Sequence, residues 1–169
     1  GERRQLLTIL REVQQTWRSV PDDAITILAE EMDLPRVHVE GTATFYHFLS
    51  REHRGDVTIY LNTSATSEMA GCADVAAAFE EAVGTPFGST TSDQRIGLYT
   101  TSCIGMCDQE PAALINDVVF TRLTPARVRE IVAGLRAGRS LRELVGTPDD
   151  GRNASPEIHA EVSNHIQHP

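Results

Sequence analysis

The side chains with the most reactive chemistry in this 169-residue chain are three cysteines, Cys72, Cys103 and Cys107. Two of them lie in Thr101-Ser102-Cys103-Ile104-Gly105-Met106-Cys107-Asp108-Gln109-Glu110-Pro111, four positions apart around a glycine. Thiolates at that spacing can face one metal ion, because soft anionic sulfur suits iron and zinc. The pattern is Cys-x3-Cys and not Cys-x-x-Cys, so it lacks the tight helical turn that depresses a thiol pKa in a thioredoxin redox site. Two small apolar residues packing a loop are the other reading, and spacing alone leaves both open. A thiol or zinc site built from all three cysteines needs a fourth ligand that the sequence does not identify. An odd, sparse set of cysteines also argues against a secreted disulfide framework.

Other chemistry is thin. His38, His47 and His53 share no metal spacing with one another or with the cysteines, and read as ordinary surface or core histidines. His159, His165 and His168 gather near Glu157 and Glu161 in a polar tail, where solvation is the default. Gly84, Gly88, Gly97 and Gly105 form no dinucleotide fingerprint, and with no lysine in the chain there is no P-loop. No serine sits in a nucleophile elbow and no Cys-His-Asn order is suggestive, so no catalytic residue and no nucleotide-binding residue is expected. The 15 basic residues, all arginine, against 24 acidic ones give a net charge of −9. The arginines are scattered, which leaves no electrostatic footprint for nucleic acid. No apolar run approaches the roughly 20 residues of a membrane span, and the first residues lack a signal-peptide pattern; the reading is a soluble cytoplasmic chain.

The elements that must position the cysteines follow from a change of period. Leu6, Leu7, Leu10 and Val13 recur at helical spacing up to about Trp17. Pro21-Asp22-Asp23 restarts a helix whose apolar face is Ile25, Leu28, Ala29 and Met32, with carboxylates where the helix dipole favours them. Another restart at Leu34-Pro35 leads to Val37, Val39 and Ala43 to Leu49, so residues 1–55 read as a helical bundle. Helical spacing puts Phe45 and Phe48 on one face and Tyr46 on another, and the three are expected to pack between the helical segment and the sheet, any exposed part making a subunit contact. From Asp56 the period falls to 2, with Val57, Ile59 and Leu61 alternating with Thr58 and Tyr60. After a polar loop come an Ala-rich helix from Gly71 to Val83 closed by Gly84, a strand from Ile96 to Tyr99, and strands Ala112 to Ile115 and Val118 to Phe120. Asn116-Asp117 joins that last pair as a tight hairpin. Thr124-Pro125 caps a last helix to about Ala137, and Ser140 with Glu143 forms a capping box on one further turn. Residues 56–146 therefore suit a small α/β sandwich with helices on a sheet, most simply a thioredoxin-like one. Residues 147–169 read as a polar linker or tail leading to a further domain or partner. Cys72, opening the Ala-rich helix, reads as a buried small side chain.

The combination Val20-Pro21, Phe45-Tyr46-His47-Phe48, Cys103-Ile104-Gly105, Asp108-Gln109-Glu110-Pro111 and Val118-Val119-Phe120-Thr121-Arg122-Leu123 resembles the thioredoxin-like [2Fe-2S] ferredoxin family over about residues 5–145. Members are small accessory subunits of respiratory complex I, NAD-dependent formate dehydrogenases and NAD-reducing hydrogenases. Within the family the chain is most similar to the amino-terminal domain of the diaphorase flavin subunit of soluble NAD-reducing hydrogenase.

The resemblance implies four cysteine ligands for one cluster, two of which map onto Cys103 and Cys107. The other two map onto Asn62 and Ser67, which are not cysteine, with Cys72 five residues further on as a possible substitute. A neutral amide and an un-ionised hydroxyl offer iron neither charge nor softness. The implied function is an accessory electron-transfer module of a multi-subunit NAD-coupled oxidoreductase with a degenerate [2Fe-2S] site. The alternative is a clusterless scaffold that docks the FMN/NADH-binding subunit. Either way the resemblance puts FMN and NAD on that partner, beside other iron-sulfur and hydrogenase subunits, and the chain is not catalytic alone.

Overall fold

Three helices open the chain in the computed structural model, which describes residues 2–46 and 48–145: α1 (Glu2–Trp17), α2 (Asp22–Glu31) and α3 (Arg36–Phe45). His47, Gly146 and the tail with its three histidines lie outside the described residues. These helices belong to the first of two compact units, which runs to Asp56 and includes Ser92–Arg95. Their apolar stripes meet as expected, with Leu6, Leu10, Val20, Ile25, Val39, Ala43 and Leu49 buried together. Asp22 and Asp23 occupy the first turn of α2, where unpaired backbone N–H groups favour negative charge. The unit is tied across its connections by the Val20 N–H on the Ser50 carbonyl at 2.6 Å and the Ser50 N–H on Gln14 Oε1 at 2.8 Å.

The aromatic cluster departs from its expected place. Helix α3 ends at Phe45, so Phe48 does not continue its helical face. Phe45 is 80% exposed and Phe48 also faces solvent, while Tyr46 alone packs against the helical core. Edge-on contact between the rings of Phe45 and Tyr46, with centroids 5.1 Å apart, holds the group together at the surface.

The second unit takes in Val57–Thr91 and the described residues from Ile96 onward. Its elements are β1 (Val57–Asn62), α4 (Ala65–Met69), α5 (Cys72–Val83), β2 (Ser89–Thr90), β3 (Ile96–Thr101), β4 (Ala113–Ile115), β5 (Val118–Phe120), α6 (Pro125–Arg136) and α7 (Leu141–Val145). The strands form one mixed sheet in the order β2-β3-β1-β4-β5. Only β1 and β3 run parallel, from Val57 opposite Ile96 to Asn62 opposite Thr101. A parallel pair needs a crossover, which α4 and α5 supply. Ile59, Leu61, Leu98 and Ile115 of the sheet are buried with Phe79 and Val83 of α5, Ile131 and Leu135 of α6, and Leu144 of α7. The α/β layering read from the sequence is therefore observed.

Local signals hold up closely. Gly84 ends α5 in the left-handed conformation at φ 78°, where a side chain would be strained. The Thr124 hydroxyl accepts the Arg127 N–H at the start of α6. Ser140 and Glu143 exchange the two reciprocal bonds of a capping box, at 3.0 and 3.3 Å. The β4–β5 hairpin differs in detail, since Asn116 alone of its two turn residues has a positive φ, at 49°. Its side chain adds a reason for asparagine: Oδ1 accepts the Thr58 N–H at 2.9 Å. The polar loop after β1 contains α4, a single turn and a half with no apolar period of its own.

Candidate functional site

Parallel pairing of β1 with β3 puts the carboxyl ends of both strands at one edge of the sheet, and the segments that leave them face each other. This is where open α/β sheets place their sites. From β1 the chain passes through Asn62, α4 with Ser67, and Cys72 at the start of α5. From β3 it enters the cysteine loop, and the Thr63 N–H on the Thr101 carbonyl at 3.1 Å ties the two exits together.

The cysteine loop is anchored from below. Met106 and Ala112 are buried in a small cluster with Ile104 and Val119 packed on it. The Arg122 and Leu123 N–H groups donate to the Gln109 and Pro111 carbonyls at 2.8 and 2.9 Å, which fastens the loop to the end of β5. With Met106 pointing inward, Cys103 and Cys107 on either side are both exposed. Gly105 lies between them at φ 86°, a conformation that only glycine adopts readily, and it folds the loop back on itself. The two sulfurs are 3.3 Å apart, and the Gly105 N–H donates to Cys103 Sγ at 3.4 Å. The hydrogen bond with Cys103 pushes the Cys107 thiol up from its ordinary pKa, against a smaller opposite pull from the Thr66 hydroxyl.

On the β1 side the side chains are already engaged. Asn62 is fully buried; its Nδ2 donates to a Glu110 carboxylate oxygen, and its Oδ1 accepts the Ser64 N–H at 2.9 Å. Glu110 uses its other oxygen to accept the Ala112 N–H at 2.7 Å. Ser67 is fully buried as well, its hydroxyl without an oxygen or nitrogen partner and set against the Cys72 thiol. Cys72 is buried and donates to the Asn62 carbonyl at 3.2 Å. Burial is the main cause that pushes its thiol pKa up, with Glu68 and Glu110 adding to it.

These donors do not fit a four-ligand [2Fe-2S] cluster. Two exposed thiols are available, but the amide at the third position is spent on Glu110 and the hydroxyl at the fourth is neutral and buried. Cys72 is turned to the backbone of Asn62 and does not join the pair. No group of three or more His, Cys, Asp or Glu side chains placed to hold a metal ion occurs among the described residues. His38 stands instead on a shallow groove of about 430 Å³ in the helical unit, beside Leu7, Val37 and Phe45, and His53 accepts the Gly55 N–H. Sequence reading missed Glu110 and Thr66 as site residues, and no local pattern marks either, since both act on groups far away in the sequence. No described helix is long and apolar enough to cross a membrane.

Comparison with known proteins identifies the family. The sequence profile of the thioredoxin-like [2Fe-2S] ferredoxins matches residues 1–136. The NAD-reducing hydrogenase HoxS subunit alpha of Cupriavidus necator is 39% identical over 144 residues, which are 85% of this chain and 24% of that subunit. A subunit of the NADH-quinone oxidoreductase of Escherichia coli K12 is 34% identical over 123 residues, 73% of this chain and 74% of that one. Among solved structures, the NAD+-reducing [NiFe]-hydrogenase in its air-oxidized state superposes with a TM-score of 0.74 at 26% identity, over 89% of this chain and 25% of that one. The chain thus spans about a quarter of the hydrogenase polypeptides it matches. By fold and by sequence profile, it belongs to the thioredoxin-like [2Fe-2S] ferredoxin family.

Proposed function

We propose that this chain is a cytoplasmic accessory module of a multi-subunit, NAD-coupled electron-transfer complex, the diaphorase part of a soluble NAD-reducing hydrogenase. The observation that carries this reading is the match at 39% identity, over 85% of the chain, to the HoxS alpha subunit. In such a complex the module docks on the FMN/NADH-binding polypeptide or domain, beside other iron-sulfur and hydrogenase subunits, and NAD chemistry takes place on the partner. The surface around Phe45 and Val37, 80% and 76% exposed, supports docking, since exposed aromatic and aliphatic side chains side by side are unusual on a free surface.

Two readings of its part in the complex differ in whether Cys103 and Cys107 help to hold a cluster. The bond from Asn62 to Glu110 favours the clusterless one, a scaffold that orders the FMN-binding partner. The test is iron and acid-labile sulfide content of the anaerobically purified chain, with an electron paramagnetic resonance spectrum after dithionite, and co-expression with the FMN-binding polypeptide. Iron and sulfide near zero together with a stable complex is the expected result. Two irons and two sulfides with a rhombic signal would restore the cluster-bearing reading, and a chain that never associates would remove the docking role.

A further inference from the structure

Cys103 and Cys107 are the two exposed thiols among the described residues, and their sulfurs already stand 3.3 Å apart. A disulfide requires them to close by a little more than ~1 Å. The backbone between them can supply that movement, because Gly105 is a glycine in the left-handed region with open space around it, while Met106 and the bonds at Gln109 and Pro111 keep the base of the loop fixed. The third thiol does not compete, since Cys72 is buried against the Asn62 carbonyl. No metal-binding group claims the sulfurs among the described residues.

We propose that Cys103 and Cys107 form a reversible intramolecular disulfide by exchange with a low-molecular-weight disulfide such as glutathione disulfide. One protein sulfur attacks a glutathione sulfur, the glutathione S–S bond breaks, and one glutathione leaves as thiolate and takes up the proton. The second protein sulfur then attacks the mixed disulfide and expels the other glutathione. Two protein thiols are oxidised to one bond and one glutathione disulfide is reduced to two thiols. The ring so closed contains five residues, so it removes little freedom from the unfolded chain and is not a structural staple. An exposed bond of that kind is open to attack by reducing thiols, which makes it a switch. The spacing lacks the helical turn of an activated catalytic thiol, so the pair acts as a responsive site and not as an oxidoreductase. Its closure reshapes the surface next to Thr66 at the carboxyl edge of the sheet.

The experiment equilibrates the full 169-residue chain anaerobically in glutathione buffers of stepped oxidation, quenches with acid, alkylates under denaturing conditions and maps thiols by mass spectrometry. The expected result is that Cys103 and Cys107 lose reactivity together in one two-electron transition, reversed by dithiothreitol, while Cys72 is alkylated throughout. Cys103→Ser and Cys107→Ser should each give a glutathione adduct on the remaining sulfur and no bridge. Retained alkylation of both sulfurs at every ratio, accumulation of mixed disulfide in the unaltered protein, or a bridge to Cys72 overturns the proposal. So does purification of the chain with two irons and two sulfides. No partner polypeptide enters the measurement, so a failure of docking leaves its answer intact.

Discussion

The amide of Asn62, at the end of β1, donates to the carboxylate of Glu110, 48 residues later in the chain, and this bond joins the two segments that frame the cysteine pair. Both oxygens of Glu110 are used, one by Asn62 and one by the Ala112 N–H. The position that the resemblance assigns to a cluster ligand is thus engaged as a strut. The strut works because an amide is neutral and can donate.

Asn62→Asp should therefore be destabilising in a pH-dependent way. It replaces the donor by a second carboxylate in a fully buried place beside Glu110, and two such groups cannot both ionise cheaply. One of them keeps its proton in the folded state to a higher pH than in the unfolded state, so stability falls as pH rises through the carboxylate range. We expect a loss of about 3 kcal/mol at pH 7 and a smaller one near pH 4, read from urea midpoints. An equal loss at both pH values would mean that the change acts through packing alone.

Burial of Cys72 predicts a second pH effect with its own sign. The thiol pKa is raised in the folded state from an ordinary 9.0, so above that value the unfolded chain releases a proton that the native chain retains. The stabilisation is complete below pH 9.0 and is lost as pH rises toward the folded value, by at most about 1.4 kcal/mol per pH unit. Comparing the unaltered chain with Cys72→Ser between about pH 8 and 10.5 isolates this slope, because every other titrating group is common to both. Parallel curves would show that Cys72 keeps an ordinary pKa.

Helix α6 meets α7 at a close contact that one methyl group should disturb. A Cβ added at Gly134 would run into the side chain of Leu144, which is itself buried. Gly134→Ala gains about 1 kcal/mol of helix propensity and loses about 1–3 kcal/mol to overpacking, so a net loss near 1 kcal/mol is expected. In a Leu144→Ala background the clash is gone and the same change should stabilise. A double-mutant cycle with no coupling energy would place the contact elsewhere.

How much of this was legible follows from the range of each signal. Gly84, Thr124 with Pro125, and Ser140 with Glu143 act on backbone groups within four residues, and each does in the structure what its type and spacing predict. The alternation from Val57 to Leu61 marks β1 because one strand face must be apolar. Helix α4 carries no such mark, since Ala65–Met69 is too short for a period and only Ser67 of it is buried. The pairing of Asn62 with Glu110 depends on β1 and the loop after β3 meeting in three dimensions, which no local pattern encodes. Phe45 shows the same limit from the other side: helical spacing tells which residues share a face, not whether this chain or another covers it.

That exposure leads to a prediction about assembly. Phe45→Asp removes an apolar ring that is 80% exposed, so the isolated chain should keep its stability within about 0.5 kcal/mol. If the surface around Phe45 and Val37 is the docking face, the same change places a charge in an apolar interface and should weaken association with the FMN-binding polypeptide at least tenfold, measured by calorimetric titration. Unchanged affinity would move the docking face away from α3.

Restoring the missing ligands should convert the site. Asn62→Cys with Ser67→Cys would put thiols at both positions that the resemblance assigns to the missing ligands, and the chain would then carry four in addition to Cys72. Four thiolates supply the charge and softness that the amide and hydroxyl lack. Anaerobic reconstitution with iron and sulfide should give the double variant close to two of each and a brown colour, while the unaltered chain stays colourless under the same treatment. The variant also loses the bond to Glu110, so without metal it should be less stable than the parent. Binding of metal to the folded state alone would then recover that stability, and a rise in Tm that depends on iron separates a true site from iron held on the surface. Equal iron uptake by both proteins would mean that Asn62 and Ser67 do not set the cluster content of this fold.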